Sequence, residues 1–107
     1  MAEKLYLVTR EDLPPGQQAV QACHAMTEFL MEHKDEGSRW HSTSNTLAFL
    51  AVSNEVSLLR LASKASRRGF RFSLFREPDR GDELTAIALE PGARTLLRDL
   101  KLALPSP

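Results

Sequence analysis

The chain has 107 residues, 42% hydrophobic and 26% charged, with fourteen basic residues balanced by fourteen acidic ones. This length supports one domain with a modest core, and a net charge of zero excludes long-range attraction of nucleic acid by the chain as a whole. No apolar run approaches the roughly 20 residues a membrane helix needs, and the single cysteine, Cys23, excludes an intrachain disulfide and fits a reducing compartment.

The chain opens Met1-Ala2-Glu3-Lys4 and passes directly into Leu5-Tyr6-Leu7-Val8, without the basic segment, long apolar core and small-residue cleavage site of a secretory signal, so a cytoplasmic protein is expected. Leu5 to Val8 reads as a central strand covered on both faces. Pro14 and Pro15 preclude a regular helix before them, and Gly16 gives the backbone room to turn. A helix is therefore expected from residues 15–17 to about Glu32, with Ala19, Val20, Cys23, Met26 and Leu30 as its buried stripe. Residues 33–45 are polar and contain Gly37 and Ser42-Thr43-Ser44-Asn45, which predicts a mobile connection with at most one short helical turn.

Leu47 to Val52 predicts a second buried strand. A helix follows, capped at Ser53 or Asn54, ended by Gly69 and carrying Leu58, Leu61, Ala62 and Ala65 on its apolar face. Phe70, Phe72 and Leu74 alternate with Arg71 and Ser73, a period of two that marks a third strand. Leu84 to Leu89 is the fourth. Residues 77–83 between these strands are too few for a helical crossover, so the two pair antiparallel. Residues 93–99 predict a short amphipathic helix, and Leu100, Leu102 and Leu104 an apolar tail. Together these elements define a single three-layer α/β/α domain over residues 1–107 with a mixed four-stranded sheet. Dimerisation would supplement its small core, and a homodimer is expected.

Strands joined by helices run parallel, so the segments after the first and third strands emerge at the same carboxyl edge, where the antiparallel fourth strand begins. Order and direction thus gather Asp12, Gly16, Gln17, Glu77 and Thr85 at one rim. Arg10, Arg76 and Arg80 fall near it, whereas Lys64, Arg67 and Arg68 sit toward the helix end leading to the opposite edge. Charge is correspondingly uneven: residues 1–36 hold three basic against seven acidic residues, and residues 54–80 seven against three. The basic cluster either grips nucleic-acid phosphates at a distance or is a solvated helix face. Cys23 and His24 are adjacent on a helix and point about 100° apart, which rules against a thiol dyad. His24, His33 and His41 lack the spacings of structural zinc or of a His-Glu-x-x-His metalloprotease, so neither metal nor cofactor is implied.

The segment Pro14-Pro-Gly-Gln-Gln-Ala-Val-Gln-Ala-Cys-His-Ala25 resembles the archaeal and eukaryotic type of peptidyl-tRNA hydrolase, whose first strand runs through Asp-Leu and a glycine loop into a helix bearing Ala-Gln-x-x-His-Ala. Asp12, Leu13, Gly16, Gln21, His24 and Ala25 carry that match. Downstream, Phe75-Arg76-Glu77 and Leu84-Thr-Ala-Ile-Ala-Leu-Glu-Pro91 are similar to the family's Arg-Asp-Ala-Gly segment and its Thr-Ala-Val-Ala-Ile-Gly-Pro strand. The resemblance spans roughly the whole chain and leans toward a shortened subgroup in which the acid precedes proline. It departs in the loop, where the family's Gly-Lys-Gly-Lys is Pro-Pro-Gly-Gln and Gln17 stands at the lysine's place, and at Glu77, where the family has aspartate.

The resemblance implies metal-independent hydrolysis of the ester between a peptide and the terminal ribose of tRNA. It places Glu77, Thr85 and His24 as catalytic candidates. Gly16, Gln17 and Gln18 at the helix start, with Arg10, Arg76 and Arg80, are candidates for contacting substrate. Blander readings stand beside these: a solvated Glu77 paired with Arg76 or Arg80, a β-favouring Thr85, a packed His24, and Trp40 as a plug over the core rather than a stacking platform for the terminal adenine. As a whole, the alternatives to an enzyme are a tRNA-binding module without turnover and a protein-interaction domain.

Overall fold

In a computed structural model, residues 3–105 are described; Met1 and Ala2, part of the reading of the amino terminus, lie outside them. The first apolar run extends over Lys4–Arg10 as strand β1, followed by helix α1 (Pro15–Glu32) and helix α2 (Lys34–Thr43). Strand β2 (Thr46–Val52), helix α3 (Glu55–Arg67) and strand β3 (Phe72–Glu77) come next, then β4 (Glu83–Leu89), the four-residue helix α4 (Arg94–Leu97) and the two-residue strand β5 (Lys101–Leu102). The sheet order is β3-β4-β1-β2-β5, with β1 at the centre, parallel to β2 and antiparallel to β4.

The sheet therefore has five strands rather than four. The apolar tail turns back along β2, pairing Leu102 with Leu50 and Lys101 with Ala51. A two-residue strand leaves no period to read. β3 and β4 are antiparallel, as the short connection requires. A 3₁₀ turn over Pro78–Arg80 and left-handed Gly81 complete that connection.

Strand alternation divides the core between two faces. Leu5, Leu7, Ala86 and Ala88 pack with Ala22, Ala25 and Phe29 of α1 and Trp40 of α2. On the other face Val8, Leu50, Ile87 and Leu89 pack with Leu58, Leu61 and Ala65 of α3 and Leu97 of α4. The α3 stripe and its cap are as the spacing predicts, with the Asn54 side chain accepting from the Ser57 N–H at 3.0 Å.

The α1 stripe is so only in part: Met26 and Leu30 pack against the α1-side core. Gln18, Gln21, Ala22, Ala25 and Phe29 are buried, whereas Val20 is 52% exposed and Cys23 also faces solvent. Apolar spacing assumes that polar residues face water, and the two glutamines break that assumption because their amides are hydrogen-bonded inside.

Residues 34–43 form a full helix instead of a mobile connection. Asp35 and Glu36 in the first turn complement the helix dipole. Gly37 allows close approach to α1, since a Cβ there would come within 2.8 Å of Leu30 Cδ2. Trp40 is buried, and its indole N–H donates to the Thr46 carbonyl at 2.7 Å, so it is a plug in the α1 layer. Trp40→Ala should destabilise the protein by about 3–5 kcal/mol, measurable as a lower urea midpoint. An unchanged midpoint would mean that α2 contributes nothing to the core.

Candidate active site

The β3–β4 pairing contains an irregularity that builds the site. Phe75 pairs with Ala86 but Arg76 pairs with Leu84, so Thr85 is an extra residue on β4, a β-bulge. Leu84 packs with the α3-side core and Ala86 with the α1-side core, while the Thr85 hydroxyl reaches Gln21 of α1 at 2.7 Å. Without the bulge, alternation would turn Thr85 away from α1.

A bulge releases backbone groups from the ladder, and side chains satisfy three of them here. The Leu84 N–H donates to Glu55 at 2.8 Å, the Leu84 carbonyl accepts from Arg10 Nη1 at 3.1 Å, and the Thr85 carbonyl accepts from the Thr9 hydroxyl at 3.2 Å. Arg10 thereby braces the bulge and does not line the groove beside Glu77. Its guanidinium is buried, bidentate to Asp12 at 3.0 and 3.0 Å and 2.7 Å from Glu83. The Arg10 hydrogen bonds hold both carboxyls below their ordinary range, and the bond to Asp12 raises Arg10 above its own.

On the α1 side a relay connects strand to helix. Thr85 has one proton, and the 2.7 Å path to Gln21 Oε1 is shorter than the 3.3 Å path to the Phe75 carbonyl. With its oxygen so engaged, Gln21 presents Nε2 to Glu77 Oε1 at 3.1 Å. An ionised carboxylate accepts only, so it selects this orientation of the amide. Thr85 is fully buried, and its hydroxyl reaches Gln21 and does not line the groove at Glu77.

Glu77 lines an open groove of about 620 Å³ with Gly16, Gln17, Val20, Gln21 and Arg80. Beside it lies the start of α1, where Pro14 provides no side-chain cap and the first turn carries no acid. The amides of Gly16 and Gln17 fall among those a helix leaves without an internal acceptor, and the dipole adds positive potential there. Gln18 belongs to a different group. Its N–H is bound to the Pro14 carbonyl at 3.0 Å and its side chain donates to the Leu13 carbonyl at 2.7 Å, so it fixes the turn rather than facing the groove.

Of the remaining candidates, Arg80 lines the groove with its Nε 3.7 Å from Glu83 and without a hydrogen-bond partner among the described residues. Arg76 follows Phe75 on β3 and so turns from the α1 side; its guanidinium donates to the Asp82 carbonyl at 3.2 Å and does not line the groove. His24 is exposed and stacks on Phe75 with centroids 4.4 Å apart, outside the groove lining. Asp12 is held by Arg10 rather than facing the groove. In the sequence Gln21 stands only as part of the family match, yet its side chain joins Glu77 and Thr85.

A sheet-edge groove with a fixed carboxylate on one side and an uncapped helix start on the other is a polar small-group site of an α/β protein. The peptidyl-tRNA hydrolase PTH2 family matches residues 3–104, and the chain belongs to that family. Comparison with curated proteins gave no match.

Proposed function

We propose that this protein hydrolyses the ester of peptidyl-tRNA, with Glu77 positioning and deprotonating the attacking water. The observation that carries this reading is the Glu77 carboxylate held on the groove by Gln21 at 3.1 Å, in a chain of this family. Water gives a proton to Glu77 as its oxygen attacks the ester carbonyl carbon. The carbonyl oxygen becomes an oxyanion, and the Gly16 and Gln17 amides are placed to hold it. Collapse of this intermediate breaks the bond to the ribose oxygen, which takes a proton from Glu77 and leaves as the tRNA hydroxyl. Gln21 and Thr85 orient the carboxylate, and Arg80 supplies positive charge to a nearby phosphate.

Labelled peptidyl-tRNA incubated with protein free of contaminating hydrolases tests the reaction. Release of peptide is expected, and intact substrate at high enzyme concentration would refute it. Loss of positioning can cost about 10²-fold, and Thr85→Val should lower kcat toward that limit while Thr85→Ser stays near the parental rate. Equal loss in both would assign Thr85 to packing.

A second reading is RNA binding without turnover. It is favoured by Gln17 in place of the family's loop lysine, which leaves Arg80 as the cationic side chain lining the groove. Salt-dependent tRNA binding with no released peptide would select it.

A further inference from the structure

A second hollow, of about 440 Å³, lies at the carboxyl end of β2 between α3 and the segment leading into β5. Ser57, Arg60 and Lys64 line one wall, at spacings that share a helix face. Lys101 and Asp99 line another, and Glu11 reaches in from the end of β1. Lys101 is paired with Glu11 at 2.5 Å, whereas neither Arg60 nor Lys64 forms an ion pair among the described residues. Two exposed, unpaired cations therefore face a hollow whose unpaired acid is Asp99.

The topology favours a ligand at this place. α1 leaves β1 over one face of the sheet and α3 leaves β2 over the other, so the adjacent carboxyl ends of β1 and β2 form a topological switch point, where open α/β sheets take ligands. The hollow also continues toward the candidate active groove. Glu11 and Ala51 line it and a neighbouring depression, and that depression runs past Pro15 and Gln18 at the start of α1. The other side of the same turn, at Gly16 and Gln17, lines the Glu77 groove.

We infer that Arg60 and Lys64 anchor a phosphodiester of the substrate RNA, while its terminal ribose lies at Glu77. This deepens the hydrolase reading and rests on it. An RNA whose end occupies the groove must leave along the sheet edge, and this path brings its backbone to exposed cations that position it without reading sequence. Lys101 can join them if Glu11 releases it, but the two unpaired residues carry the inference.

The test measures binding of deacylated tRNA from 50 to 200 mM salt for the parental protein, for Arg60→Ala with Lys64→Ala, and for Arg67→Ala with Arg68→Ala as a control outside the hollow. Loss of the one phosphate contact lowers the salt slope by about 0.7–0.9, so parental affinity should fall roughly threefold more across this range than that of the Arg60 and Lys64 variant. The control should keep the parental slope. A parental slope in the first variant, with its fold verified by melting, would overturn the inference.

Inorganic phosphate provides the arm for a small anion. If it saturates the Ser57 and Arg60 amide shifts below millimolar concentration while the tRNA slope is unchanged, the site serves a small phosphate compound and the RNA assignment falls. If the slope drops but the parental protein releases no peptide, the anchoring site stands and the hydrolase reading fails.

Discussion

Glu77→Gln is expected to lower kcat for peptidyl-tRNA hydrolysis by about 10²–10⁴-fold, the range general-base catalysis supplies. The substitution is nearly isosteric, and its amide oxygen can still accept from Gln21 Nε2, the 3.1 Å bond that holds the side chain in place. The groove therefore keeps its shape while losing the group that takes the proton. KM should change much less than kcat if the carboxylate acts on water rather than on binding. Single-turnover measurement at saturating enzyme makes the distinction. A parental rate in Glu77→Gln would remove the acid from the chemistry, whatever the protein hydrolyses. A rise in KM with constant kcat would instead make Glu77 a substrate contact.

The place of Glu77 on the rim was legible in sequence because strand order and direction alone put the ends of β3 and β1 at one edge. The same argument anticipated Gly16 and Gln17, which line the groove with it. The position of Thr85 was legible only in part. Its edge position follows from direction, but the face it occupies depends on a bulge, and a bulge is a register event between two strands that one strand's pattern does not record.

Arg10 shows the converse. An arginine near a rim suggests a ligand contact, yet the bulge leaves a carbonyl that needs a donor, and Arg10 is consumed there. The face of α1 was misread for a related reason: Gln18 and Gln21 are polar by composition and buried by function, one fixing the loop and one bridging strand to strand-end acid. α2 escaped notice because only Gly37 and Trp40 of its ten residues are buried, too few to form a stripe.

The brace leads to the second large effect, Arg10→Met. Methionine keeps an unbranched stem of similar length and removes the donors, leaving the buried Leu84 carbonyl without Arg10 and Asp12 without its bidentate partner. An unsatisfied buried acceptor costs about 1–3 kcal/mol, and a charge-assisted bond contributes about the same, so a loss near 3 kcal/mol is expected. For a domain of this size that corresponds to roughly 10–15 °C in Tm. Activity should fall as well, because relaxation of the bulge turns the Thr85 hydroxyl from Gln21 and frees the amide that orients Glu77.

The pH dependence separates the ion pairs from the carbonyl bond. Asp12 and Glu83 are held below their ordinary range by Arg10, so the stabilisation they carry is present above the unfolded carboxylate values and lost as pH falls through the folded ones. The gap in stability between parental protein and Arg10→Met should therefore be widest above about pH 5 and shrink below about pH 4, where free carboxyls take up protons. What remains in acid is the pH-independent cost of the orphaned Leu84 carbonyl. Urea melts of both proteins across this interval measure the two parts. A gap equal at pH 7 and pH 3 would show that Arg10 stabilises the bulge through the Leu84 carbonyl alone, and the ion pairs with Asp12 and Glu83 would then have no part in holding Thr85 toward the site.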